Sequence, residues 1–462
     1  MKLKDRILNI FQKKALRFYP APIQIINGQI ISPADNKEAY LNDGYLVNDV
    51  IYSIVSLIAD KVRLANWGQY EIVDESSLKQ YHSLLRRKDL SYSDFIEADK
   101  LKKKAMQLTE GDQRLAKILE WANEDETFSD FVTSGSIYKM ITGDRFVAAE
   151  KVEMGANEGK PFYLYNIPSQ LVSIIASNTF PAKALGYKLF SYNKEYTTEE
   201  ILHEKYFNPS YKNNGQQLYG MSPLKAALKR YTRNNSAMTA ATAAFDNQGM
   251  KGMVFPDIDP ELVSESNVQQ LLEQSSKIKQ KLTGNEYAGA SNYGKVAGAA
   301  YRMGYIPIGL SPVDMNIIES EKWDAVMICN VFGVPPELLG LTNKTYNNVK
   351  EAEKSLTTRS CFPLLSSFRD YFNMKLKKDW GYKNEKIIVD YDVSVYTELN
   401  DGVGEIVTAM TPLFDRGAIN GNELREKAGL KRTENQMHEQ YFMTGNYLPE
   451  DGESEIDKEL DK

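Results

Sequence analysis

From Ile306 to Leu356 the chain reads IPIGLSPVDMNIIESEKWDAVMICNVFGVPPELLGLTNKTYNNVKEAEKSL, and two adjacent prolines inside it restrict every fold the chain can adopt. Proline has no backbone N–H and disfavours helix in the residue before it, so Pro335–Pro336 must end a helix. Apolar spacing predicts that helix over 314–334. A polar, asparagine-rich loop follows at 341–349, and a second long helix is expected over 347–378.

The 462-residue chain has room for about three domains. Apolar residues at 42% and charged residues at 26% are ordinary for globular proteins, so bulk disorder and collagen-like structure are excluded. A formal net charge of −6 argues against a conventional sequence-specific DNA reader, which carries a basic field. Cys329 and Cys361 are too few for a disulfide framework and are expected to be buried thiols in a reducing compartment. Residues 1–14 lack the apolar core of a signal peptide. The longest apolar run, 50–59, is too short to span a bilayer, so a soluble, unexported chain is expected, with no membrane contact.

Along the chain, 1–44 reads as a short basic amphipathic helix followed by an arm punctuated by Pro20, Pro22, Gly28 and Pro33. Asn48 is placed to cap a helix through Val62. Residues 80–120 read as charged helix. Asp125–Glu126–Thr127 opens a further helix that Gly143–Asp144 ends. Strands are expected at 145–151, 162–167, 171–177, 184–192 and 201–206, joined as hairpins and not as βαβ units. Ser222–Pro223 starts a long alanine-rich helix reaching Asn247–Gly249. Beyond it come a strand at 252–255, a polar helix at 261–282 and a glycine-rich loop at 284–304. A strand at 386–395, short helices at 405–416 and 422–428, and an acidic disordered tail at 449–462 complete the reading.

Catalytic chemistry is hard to find. GASNYGKV at 289–296 departs from the phosphate-loop pattern at Val296, where a Ser or Thr should hold magnesium, and reads as a flexible loop. Asp390 and Asp392 alternate along a strand and read as its wet face, with no His or third acid to make a metal site. His82, His203 and His438 lie far apart, and His203 reads as a hydrogen-bonded structural residue. GxSxG, HExxH and CxxC are all absent. No cofactor, no metal and no enzymatic activity are expected.

Several separated segments resemble, in order, the portal proteins of tailed bacteriophages, siphophage type. They are NDVIYSIVSLIADKVRLANW (48–67), LEWANEDETFSDFVTSGSIYKMITGDRFV (119–147), ILHEKYFNP with LYGMSPLKAALKRY (201–231), FDNQGMKGMVF (245–255), FGVPPELLG (332–340) and AINGNELREKAGL (418–430). Each is weak alone; their order over 48–430 makes the likeness specific. The glycine-rich 284–304 stretch and the acidic tail depart from the family's pattern.

The resemblance implies an α+β portal-type protomer with a mixed α/β wing, a two-helix stem, a small α/β clip and a short helical crown. On that plan 1–44 is an N-terminal arm and 45–221 the first part of the wing. Residues 222–249 and 311–334 are the stem helices, bracketing a clip at 250–310. The wing resumes over 335–399 with a tunnel loop at 341–349, and 400–448 is the crown. Asn343, Lys344, Thr345, Asn347, Asn348 and Lys350 would then meet passing DNA through a few polar donors. A stationary binder uses many Lys and Arg, because each neutralised phosphate releases counterions. Read without the family, the same loop is a surface connection between helices. Lys225, Lys229 and Arg233 form an i, i+4, i+8 stripe that fits either a solvated face or contact with a partner or DNA phosphate.

The family also implies a homo-dodecameric ring at one capsid vertex of the virion, assembled in the host cytoplasm. It would pass double-stranded DNA without sequence preference. It would dock the large terminase, head-completion or adaptor proteins, and the major capsid or scaffold protein. Two other readings stand beside it: a virion connector with no DNA channel, and a nucleotide-dependent enzyme that Lys295→Ala would inactivate.

Overall fold

The computed structural model describes residues 24–26, 29–32, 37–87, 90, 92–155, 157–177, 179, 181–210, 216–247, 252–256, 273, 276, 303–307, 317–342, 345–399, 403–427 and 432–441. Two compact units emerge, one from Met1–Lys37, Ile54–Ser222 and Gly333–Lys462, the other from Glu38–Ser53 and Pro223–Phe332.

In the first unit, local capping signals set the elements. Thr127 takes an extended conformation and its hydroxyl accepts the Asp130 N–H at 3.2 Å, which starts the Phe128–Thr142 helix. Gly143, at φ 88°, ends it with its N–H on Lys139 O, and the chain turns straight into the Asp144–Lys151 strand. That strand lies between Ile201–Lys205 and Pro161–Ile167, with His203 opposite Phe146. A second sheet runs Gln24–Ile26, Gln29–Ser32, Val172–Ala176, Ala184–Leu189 and Lys194–Thr197. A third sets Asn66–Ile72 between Ile387–Asp392 and Met106–Leu108. Every pairing in these sheets is antiparallel, as the hairpin reading expects.

Two buried clusters hold this unit. Phe146, Ile167, Ile174, Tyr187, Ile201 and Tyr219 pack together across the sheets. Trp67, Phe128, Phe131, Phe368 and Phe372 form an aromatic cluster, closed by Trp380 edge-on to Phe372 at 5.9 Å. Such pairs add to plain burial because the positive ring edge meets the negative face.

Three expectations need correction here. The 80–120 stretch is not all helix: Met106–Leu108 is recruited as an edge strand by Tyr70–Ile72. The run after the loop is not one regular helix either. Tyr346–Leu356 and Phe362–Lys378 are joined by a wide π turn, Thr357–Cys361. Pro363 explains it, since its ring cannot fit a regular turn above the carbonyl four residues back. Finally, Met303–Pro307 is a strand whose first two residues had read as loop.

That strand belongs to the second unit, where it pairs antiparallel with Gly252–Pro256. The unit's main feature is the Pro223–Asn247 helix packed on the Ile317–Phe332 helix, with Leu224, Ala227 and Tyr231 of the first and Ala325, Ile328 and Cys329 of the second buried; Leu224 lies against Gly44. Asn48 caps as expected, accepting the Ile51 N–H at 3.0 Å, and its amide also donates to Asn234 and Asn235, each at 2.7 Å. Cys329 and Cys361 are both buried free thiols. The expected N-terminal helix, the GASNYGKV loop and the acidic tail lie outside the described residues, as does the 261–282 helix apart from Glu273 and Ser276, which are helical.

Candidate functional site

The segments that stood out in the sequence meet at one carboxylate. Asp144 follows directly on the glycine that ends the Phe128–Thr142 helix, so its side chain enters the core beside the neighbouring strand. Its Oδ1 receives His203 Nε2 at 2.7 Å and the Gly220 N–H at 2.7 Å; its Oδ2 pairs with Lys37 Nζ at 2.6 Å. The backbone is equally close. Tyr206 N–H donates to Gly143 O at 2.9 Å, and the Ser222 hydroxyl donates to Ile141 O. A Cβ on Gly220 would stand 2.0 Å from Gly143 O. Gly220→Ala is therefore expected to force the two segments apart at a cost of about 3 kcal/mol, read as a lower unfolding midpoint.

The electrostatics favour a fixed ion pair. Burial opposes the Asp144 charge, but Lys37 and the His203 hydrogen bond outweigh it and bring the carboxyl down to about 2. Burial lowers both His203 and Lys37, each against the pull of Asp144. A His–Asp pair suggests a general base, yet His203 is stacked on Phe146 at 4.2 Å between centroids and is 9% exposed. It is a structural residue, as the sequence suggests. The arrangement holds; it does not present a reactive group.

A second buried network sits one residue along. Glu204 pairs with Lys139 and, at 3.4 Å, with Arg145, whose guanidinium lies over Phe368 at 4.4 Å. The Lys139 ammonium also donates to Ser367 at 2.9 Å.

Asp390 overturns its sequence reading as part of a wet face, whereas the Asp392 side chain stays 35% exposed. Asp390 is fully buried and meets His82 at 3.1 Å and Arg369 at 3.4 Å, so a histidine does lie beside it. Asp392 takes Lys102 at 2.8 Å. Alternation identified two faces of the strand, but the Phe362–Lys378 helix and the Glu75–Leu85 helix cover the one that looked wet. Among the described residues no group of His, Cys, Asp and Glu is arranged to hold a metal, and no helix is long and apolar enough to cross a membrane.

At the elbow, the stop is made two residues earlier than Pro335–Pro336. Gly333, at φ 71°, follows the last helical residue, Phe332. Pro335 then caps a short 3-10 turn, Pro336–Leu339, that Gly340 closes at φ 74°. Leu341 N–H returns to Pro336 O at 3.2 Å, so the loop leaves from a rigid corner. Its far end is fixed by Thr345, whose hydroxyl accepts the Asn348 N–H at 3.4 Å. Asn347, Asn348 and Lys350 thus belong to the first turns of the following helix, and Asn343 and Lys344 lie outside the described residues.

Of the basic stripe on the Pro223–Asn247 helix, Lys225 and Lys229 are exposed. Arg233 grips Asp324 of the neighbouring helix through two nitrogens, and Arg230, which the stripe had not included, joins at 3.2 Å. Asp324 is buried, so this bidentate pair fixes helix on helix.

Buried ion pairs fasten helices to antiparallel sheets in the first unit and helix to helix in the second. The chain belongs to the phage portal protein family, whose sequence model matches residues 99–429. An uncharacterized protein of Rickettsia bellii is 24% identical over 299 residues, covering 63% of this chain and 72% of that one. One from Rickettsia felis is 25% identical over 300 residues, covering 62% and 71%. Among solved structures, a chain of the neck of a native GTA particle computed with C12 symmetry shares the fold at TM-score 0.55 and 19% identity, covering 87% of this chain and 96% of that one. A chain of the virion of a native gene transfer agent particle does so at 0.53 and 19%, covering 94% and 100%. The α+β architecture expected from the sequence is the one observed.

Proposed function

We propose that this chain assembles into a closed ring of about twelve copies at one vertex of a capsid and forms the channel through which double-stranded DNA enters and leaves. The observation that carries this reading is the family match over 99–429, which includes the elbow and the loop after it. The C12 symmetry stated for the GTA neck, whose chain shares this fold, supports the ring and its number. The first unit then serves as wing and the two packed helices of the second as stem. The Gly252–Pro256 and Met303–Pro307 ribbon belongs to the clip, and Val403–Asp415 with Gly421–Lys427 to the crown.

In this reading the loop between Gly340 and Thr345 is the channel contact. It is held by a capped 3-10 turn on one side and a threonine-capped helix on the other, which suits a short segment that must touch a moving polymer without yielding. Its one cation, Lys344, and Lys350 in the helix that follows are few enough charges for phosphate contacts to remain transient. The large terminase, an adaptor protein and the capsid or scaffold protein are the partners such a ring meets in turn. The particle is its location, after assembly in the host cytoplasm. No catalytic step is assigned to it.

Two measurements test this. Mass photometry with negative-stain imaging should show rings with a central hole near twelve times the 52.4 kDa chain. Lys344→Ala combined with shortening of 342–348 should leave those rings intact and reduce packaged DNA at least tenfold. Normal packaging by rings of that variant would remove the channel contact from the loop and leave a connector role.

A further inference from the structure

The Ile317–Phe332 helix is apolar on two sides. On one side Asp324, Ala325, Ile328 and Cys329 are buried, and Asp324 is held by Arg230 and Arg233 of the Pro223–Asn247 helix on which this helix packs. At 3.6 residues per turn, Trp323 lies opposite Ala325 and continues through Met327 to Val331 at i, i+4, i+8. Trp323 is 54% exposed and Val331 39%, with Met327 between them partly buried. A helix with apolar residues on both faces is a buried helix, and an exposed tryptophan at the head of such a stripe is a usual anchor of a protein contact.

We propose that a second copy of this chain covers the stripe, laying the outer face of its own Pro223–Asn247 helix across Trp323, Met327 and Val331. The proposal rests on the ring reading above and names the surface that would make the ring. Charge selects the occupant. Glu319 and Glu321 stand at the start of the stripe-bearing helix, whereas the candidate covering face carries exposed Lys225 and Lys229. Arg233, next on that face, already grips Asp324 within its own unit, so Lys229 is the cation best placed to reach a neighbour's indole. A lysine can lay its alkyl stem along an apolar stripe and set its ammonium over a tryptophan face, a contact worth about 0.5–2 kcal/mol. The carboxylates at the stripe's head disfavour DNA as the occupant. Because the two patches differ, each copy offers one and receives the other. Such heterologous contacts close into a ring when the rotation between copies allows it.

The test compares the full-length wild type with Trp323→Glu and Trp323→Phe by mass photometry over a dilution series, with circular dichroism to confirm folding. Because Trp323 is exposed in the single copy, Trp323→Glu is expected to stay folded and to raise the dissociation midpoint about thirtyfold or more, with Trp323→Phe near wild type. A second variant, Trp323→Cys with Lys229→Cys, is treated with copper phenanthroline as oxidant. It should give a ladder of disulfide-linked multimers on a non-reducing gel, which each single cysteine variant should not; the native cysteines are buried. Wild-type rings together with undiminished Trp323→Glu rings would overturn this surface and leave the ring reading standing. Dissociation without a ladder would overturn the assignment of the covering face. A wild type that forms no ring at any concentration would overturn both readings.

Discussion

Asp144→Asn is expected to destabilise the first unit by about 3–5 kcal/mol, because it leaves the Lys37 ammonium buried without a counter-charge. The amide could keep one acceptor for the Gly220 N–H, but it turns N–H groups toward a cation. The readout is hydrogen exchange at Gly220 and Tyr206, whose N–H groups close on Asp144 and Gly143. Protection there should fall at least a hundredfold, while the second unit's helices keep theirs. Lys37→Met added to Asp144→Asn should recover part of the loss, since the double variant no longer buries an unpaired charge. The pH dependence separates the two ionisations. His203 is held neutral by burial, below its ordinary value, so the unfolded chain binds the extra proton as pH falls through 6.5 and stability declines from there. Asp144, at about 2 against an ordinary 3.8, adds stability that is full above the ordinary value and is lost as pH falls from about 4 toward 2. The Asn variant should retain the first decline and lose the second. An Asn variant as acid-sensitive below pH 4 as the wild type would place the acid response elsewhere.

Glu204→Leu is expected to be at least as damaging, at about 5 kcal/mol. One anion separates two buried cations, Lys139 and Arg145, and removing it leaves like charges facing each other out of water. Arg145 keeps its hydrogen bonds to Val132 O and Ser136 and its place over Phe368, so Lys139 is the group left exposed to the loss. A Glu204→Leu, Lys139→Met double variant should therefore recover most of the stability, measured as the urea midpoint of the first transition. If the double variant is no better than the single, the cost is one of side-chain shape and not of charge.

Both predictions concern residues that are ordinary in the sequence. His203 and Gly143 could be singled out from it, the first as a structural residue at a strand end and the second as a helix stop. Lys37 and Asp144 carried no signal of burial, because a charged residue in a polar stretch looks the same whether it will face water or a core. Asp390 shows the same limit in reverse. Period-two alternation identifies a strand's two faces but cannot say which of them another element will cover. The stem pair was legible as two long helices, yet the Arg230–Asp324–Arg233 fastener was not, since its members lie more than ninety residues apart.

What the sequence alone determined is what a few neighbouring residues can decide. Asn48 and the Asp125–Glu126–Thr127 run start helices, Gly143–Asp144 stops one, alternation makes the 145–206 strands, and the order of the segments marks the family. Those effects act through backbone geometry and spacing within about one turn or one hairpin. Only the tertiary structure decided which charges are buried and what they hold, because that depends on which distant segments meet. Asp144 lies 59 residues from His203 and 76 from Gly220, and the ion pair exists only once the packed sheets have excluded water from all of them.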